Sequence, residues 1–264
     1  MKKIAFLFLI FLLSCAGIER NYSENDLYDL KYPDYSYMES AHFIVNADVS
    51  VDIRRISDEA EKFYYTIMMD TNLFSFVPEK PYRIIVHKDR ETFLNKTASR
   101  KWIDGFINDK RIEVYFSSNV YCVLAHEITH LVLSEFLEDA SQFYPWISEG
   151  LATYEERKAC SEIDFIYNDI FVNIVKESPY SATSLSLYKP STNDLEKDIK
   201  KFYVQSSDIV KFMIEKEGNF KFYIFLDGLR KGMPVDEALK NAYPLSFHSL
   251  KALWDRWYEE RVIR

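Results

Sequence analysis

The sequence predicts an α+β fold, with a small N-terminal mixed α/β lobe over residues 41–118 and a helical C-terminal lobe over 119–264. Two β-branched runs, AHFIVNA (41–47) and YRIIVHK (82–88), bracket a stretch whose apolar residues recur at helical spacing. Beyond residue 119 almost every segment carries the helical period, and the first of these helices stands at the junction of the lobes. With 264 residues, 48% of them hydrophobic and 16% aromatic, the chain can bury a full core, which excludes a disordered or low-complexity protein.

The N-terminus reads as an export signal. MKK supplies a positive start, and IAFLFLIFLL (4–13) is an apolar run too short for a membrane span, which needs roughly 20 residues. It ends in LLSC (12–15), which resembles the lipobox of bacterial lipoproteins. That resemblance implies a signal peptide over 1–14, a lipidated Cys15 as the mature N-terminus, and a membrane anchor in the cell envelope. Ala16, standing where inner-membrane retention uses aspartate, favours the outer membrane. Residues 16–38 are polar and Tyr-rich without helical or strand period, so lipid and tether together take up 15–40 and the folded domain 41–264. The formal charge of −8, with no basic stripe, excludes nucleic acid as a partner.

Within the first lobe, VDIRRISDEAEKFYYTIMM (51–69) places Ile53, Ile56, Ala60, Phe63, Tyr64 and Ile67 on one helical face. A short helix is expected near 90–97, then a hairpin over 102–116 turning at NDK, with Ile112, Val114 and Phe116 alternating. In the second lobe, helices are expected at 119–137, 146–159, 163–176, 200–216, 219–230, 234–242 and 246–262. A Ser/Thr/Pro-rich loop covers 178–194.

The helix at the junction contains LAHEITHLVL (124–133). It is apolar nearly all round, so it should be buried, yet it carries His126, Glu127 and His130. The two histidines lie one turn apart on one face, the arrangement that lets neutral imidazoles converge on one Zn²⁺. Glu127 is offset to the side, too far round to ligate but placed to take a proton from a bound water. A pair of hydrogen-bonded core histidines is the alternative. A catalytic zinc needs a third protein ligand, and Glu149 in PWISEGLATYEER (145–157) follows His130 with 18 residues between them. Pro145 suits a helix start, which puts Glu149 in the first turn, where an exposed glutamate favoured by the helix dipole is the alternative. Cys122 and Cys160 remain, and an oxidising compartment permits their pairing without requiring it.

HEITH, the 18-residue gap and WISEGLA resemble the gluzincin zinc metallopeptidases, whose pattern is HExxH-x18-E with WxxEG around the third ligand. Over roughly 41–260 the chain is similar to the peptidase MA-like domains of bacterial envelope proteins. This resemblance implies a zincin-like fold, one Zn²⁺ held by His126, His130 and Glu149, and Glu127 as general base toward zinc-activated water. KKFYVQSSDIVKFMIEKEG (200–218) resembles the helix that in these families supplies an oxyanion-binding tyrosine, which implies that role for Tyr203, with packing as the alternative. Thr153 and Glu156, on the face of Glu149, are candidates to hold the imidazoles from behind, with exposed helix surface as the equal alternative. His42, His87 and His248 read as structural or surface residues.

Related aminopeptidases carry G-x-M-E-N, whose glutamate captures the substrate amine; GFIND (105–109) lacks that glutamate. An endopeptidase is therefore expected rather than an aminopeptidase, with an extended peptide pairing along RIEVYF (111–116) as a sheet edge. The expectation is a lipid-anchored zinc peptidase acting on a peptide or protein substrate. Its rival is a non-catalytic peptide- or protein-binding lipoprotein that keeps the fold.

Overall fold

A mixed sheet carries the N-terminal lobe. The computed structural model describes residues 35–97, 104–108, 110–138, 144–191 and 194–263, all within the unit Asp34–Arg264. The expected signal, Cys15 and most of the tether lie outside the described residues. The strands are β1 (Tyr35–Glu39), β2 (Phe43–Asp48), β3 (Tyr82–His87), β4 (Gly105–Asn108) and β5 (Arg111–Tyr115), in the spatial order β1-β2-β3-β5-β4. β2, β3 and β5 run parallel, and β1 and β4 are antiparallel edges. Parallel neighbours require crossovers. α1 (Ile53–Thr71) joins β2 to β3, and α2 (Arg90–Thr97) lies on the path from β3 to β5. As the central strand, β3 is buried at every position but Arg83, which is why YRIIVH reads as a continuous apolar run.

α1 forms where its period predicted. Ile56, Ala60, Phe63 and Ile67 are buried along one stripe, Asp52 caps the start by accepting from the Arg55 backbone N–H, and Asn72 ends it at φ 58°.

The sheet begins earlier than the sequence indicated, because β1 falls inside the stretch read as tether. An edge strand with a half-buried, half-exposed pattern carries little periodicity. What anchors it is polar: a hydrogen bond of 2.8 Å joins Tyr35 Oη to His87 Nδ1. His87 is fully buried and meets Glu113 at 3.2 Å, and Glu113 in turn pairs with Arg111 at 2.9 Å. His87 is thus structural, tying β1, β3 and β5 through one polar ladder. β5 lies between β3 and β4, so RIEVYF is not a sheet edge; the C-terminal edge is β4.

The helical lobe comprises α3 (Val120–Phe136), α4 (Pro145–Ala159), α5 (Ser161–Ile170), α6 (Ala182–Leu187), α7 (Glu196–Lys211), α8 (Asn219–Arg230), α9 (Val235–Ala242) and α10 (Leu250–Trp257). α5, α7 and α10 run on into wider π-type turns over Phe171–Val175, Phe212–Lys216 and Tyr258–Ile263. α6 lies in the segment expected to be a loop. Its Ser181 hydroxyl caps the first turn and Ala182 and Leu185 are buried, too short a signal for the helical period to register.

A disulfide joins Cys122 on α3 to Cys160 at the end of α4, across 38 residues of sequence. Closing a loop of that length removes enough freedom from the unfolded chain to contribute about 3–4 kcal/mol. The double variant Cys122→Ser/Cys160→Ser should lose stability by about that amount in chemical denaturation. An unchanged midpoint would show that the bridge does not constrain the unfolded chain.

Candidate metal centre

The junction helix α3 is buried as its composition requires: Leu124, Ile128, Leu131 and Val132 sit in the core. Against it packs α4, whose first residue is Pro145, a position where the missing N–H costs nothing. Cys122 bonds to Cys160, His126 Nδ1 lies 3.2 Å from Glu156 Oε2, and His130 Nδ1 lies 2.8 Å from Ser148 Oγ. Numbers rise along α3 as they fall along α4, so the two helices run antiparallel. Glu149, which opens the second turn of α4 rather than sitting in its first because the helix begins at Pro145, is thereby carried opposite both histidines.

The three atoms facing inward converge. His126 Nε2 is 3.1 Å from His130 Nε2, and Glu149 Oε2 is 3.5 Å from the first and 3.4 Å from the second. A tetrahedral ion with ligands at about 2.0–2.1 Å needs ligand atoms about 3.3–3.4 Å apart. The triangle therefore fits a small divalent cation, and all three residues are half-buried, as a site open to substrate requires.

The electrostatics agree with the geometry. Burial works to strip a proton from His126, but the hydrogen bonds it donates to Glu149 and Glu156 overcome it and raise its pKa well above the usual imidazole range. Burial would likewise raise the Glu149 pKa, yet the two imidazoles hold it far below the usual carboxylate range. The cluster favours positive charge, which a metal ion would supply.

Behind the triangle, each imidazole has a partner for its outer nitrogen, which fixes the ring and leaves Nε2 for a metal. For His126 this is Glu156, as the sequence proposed. For His130 it is Ser148, which sequence reasoning missed. Ser148 precedes Glu149 and projects about 100° away from it, off the helix face that Glu149, Thr153 and Glu156 share. Thr153, the other candidate, is buried, and its Oγ1 has no hydrogen-bond partner among the described residues. It does not hold an imidazole.

Glu127 is half-buried beside this cluster, near enough for its charge to favour the protonated form of His126. No hydrogen bond or ion pair engages its carboxylate among the described residues. Tyr203 sits two turns into α7 rather than at a helix start, because α7 begins at Glu196 instead of residue 200. Burial and the nearby charges of Glu149, Glu127 and Glu156 raise its pKa well above the phenol range, so it stays protonated. Tyr167 on α5 is held protonated the same way, by burial, Glu156, Tyr203 and Glu149; nothing in its local sequence marked it.

Two glycines bring the neighbouring elements in. A Cβ on Gly150 would stand 2.8 Å from the Ser206 carbonyl oxygen, so only glycine lets α7 lie this close to α4. That approach sits one residue from Glu149 and three from Tyr203. A Cβ on Gly105 would stand 2.6 Å from Val123, so the backbone of β4 rests against the face of α3 that presents the histidines.

If Ser148 and Glu156 orient the imidazoles, Ser148→Ala and Glu156→Gln should each weaken zinc binding about 10–100-fold with little change in folding. Competition against a chromophoric chelator measures this, and unaltered affinity in both variants would contradict it.

No curated protein matches the chain significantly, so comparison rests on the family. The Peptidase MA superfamily matches residues 113–260, more than half of the sequence, from β5 through the metal triangle and α7 to the last turn. The match agrees with a mixed sheet followed by a largely helical region, and with a His-His-Glu group able to hold a metal. The chain belongs to the peptidase MA superfamily and carries a zincin-like, metallopeptidase-type domain.

Proposed function

We propose that this chain is a lipid-anchored, zinc-dependent endopeptidase of the gluzincin type, acting at the cell envelope on peptide or protein substrates. One observation carries the reading: Nε2 of His126, Nε2 of His130 and Oε2 of Glu149 lie 3.1–3.5 Å apart with a free carboxylate, Glu127, beside them. When bound, zinc supplies a Lewis acid that polarises the scissile carbonyl and makes water acidic enough to lose a proton near neutral pH. Glu127 takes that proton and passes it to the leaving amine. Tyr203, kept protonated by its buried and anionic surroundings, donates to the oxygen on which negative charge develops. Glu156 and Ser148 keep the imidazoles from turning away.

For the substrate, the corrected sheet order favours β4. Among the described residues it pairs only with β5, so its outer edge can take an extended peptide by backbone hydrogen bonding. Gly105 sets that edge beside the histidine face of α3. The missing amine-binding glutamate in GFIND supports internal cleavage over aminopeptidase action.

The envelope location rests on the lipobox-like LLSC and gains support from the Cys122–Cys160 bridge, which belongs to oxidising compartments. In this reading residues 1–14 are removed, Cys15 carries lipid, the tether ends before Tyr35, and the peptidase domain follows, with the outer membrane as the favoured address. Among the described residues no helix is long and apolar enough to cross a membrane.

The test compares wild type with Glu127→Gln for zinc content and cleavage of a denatured-protein substrate. About one zinc per chain is expected in both, with cleavage falling at least about 100-fold in the variant. Zinc in both but no cleavage by the wild type would favour the binding lipoprotein; absence of zinc from the wild type would sink the reading altogether.

A further inference from the structure

The faces of α3 and α4 turned away from the metal triangle enclose, with α1, a pocket of about 460 Å³. Lys158 stands about 180° round α4 from Glu149, and Tyr121 about 140–180° round α3 from His126 and His130, so the two sites lie on opposite sides of the same helix pair. Phe63, Ile67, Tyr121 and Ala125 form apolar walls, and the volume falls in the range of small-molecule sites.

Its charged groups, Arg55, Glu59, Lys62, Glu155 and Lys158, are unequally matched. Glu155 lines the pocket, is 3% exposed, and its Oε1 has no hydrogen-bond partner among the described residues. A buried oxygen without a partner costs free energy, which a ligand's polar group can recover. Burial and neighbouring Asp70 raise the Glu155 pKa well above the carboxylate range, so it offers a neutral acid rather than a negative charge. Glu59 is answered by Lys62 at 3.1 Å, and Asp70 by Lys158. Arg55 is different: its guanidinium lies 5.1 Å over the Tyr121 ring and has no ion pair among the described residues. The pocket thus joins a cation without an ion pair among the described residues, an apolar wall and a buried acid, hydrogen-bonded to Asp70, with one oxygen left without a partner.

We propose that this pocket is a second binding site, taking a small organic carboxylate whose charged end meets Arg55 and whose apolar body lies between Phe63, Ile67 and Tyr121. Arginine's planar fork suits a carboxylate, and the stacked ring holds it at the pocket. A polar atom on the far end of the ligand would meet Glu155.

The test uses the full chain carrying Cys15→Ser, which prevents acylation, titrated with 3-phenylpropionate in a calorimeter. Binding with a Kd of about 1 mM or tighter is expected. Arg55→Ala, an exposed change, should weaken it at least about tenfold, as should replacing the ligand by the uncharged 3-phenylpropanol. Thr66→Phe, which fills the pocket, should abolish it, with zinc content and circular dichroism unchanged in both variants. Failure of 3-phenylpropionate to bind at 10-fold higher concentration would overturn the proposal. So would binding that ignores both substitutions but disappears when metal is chelated, since the carboxylate would then sit on the metal centre. Neither result bears on whether the chain is a peptidase.

Discussion

Everything in the second lobe answers to one constraint: a carboxylate on α4 must be held against two imidazoles on α3 inside partly buried protein. Side chains with these charges do not gather at 3.1–3.5 Å without cause. Removing ionisable groups from water is expensive, and the cost is recovered only when opposite charges and hydrogen bonds are well placed. Here Glu149 meets both imidazoles, Glu156 and Ser148 take their outer nitrogens, and Glu127 stands free to one side. The surplus of acidic over basic groups favours a cation at the centre.

The fold serves that meeting point from three directions. The parallel core of the sheet ends at β5, which leads directly into α3, so the metal helix is laid down against a rigid surface. The disulfide, placed one turn before His126 and one turn after Glu156, repeats the α3–α4 contact in covalent form. Gly150 lets the backbone of α7 approach α4, which carries Tyr203 toward Glu149. On the reverse of the same helix pair the Arg55 pocket opens.

How much of this could be read from the chain depends on the range of the interaction. His126 and His130 were legible because helical geometry alone puts them one turn apart, and Glu149 because resemblance supplied the spacing that geometry could not. The lobe order and most helices followed from apolar period. Ser148 was not legible, since the hydrogen bond to His130 depends on how α3 and α4 meet, and a serine one position from a ligand has no local signature. Thr153 failed for the related reason that sharing a face with Glu149 does not reach an imidazole. β1 was hidden because a polar ladder through His87, rather than an apolar stripe, holds it in the sheet. The edge assignment went to β5 instead of β4 because strand order is a tertiary property that a hairpin pattern leaves open.

The most direct measurement is zinc K-edge X-ray absorption on the purified, zinc-loaded protein. A first shell of light atoms at about 2.0–2.1 Å is expected, with multiple scattering from two imidazoles, and loss of one imidazole in His130→Ala. A sulfur shell near about 2.3 Å, or a spectrum with no imidazole contribution, would place the metal elsewhere and contradict that expectation.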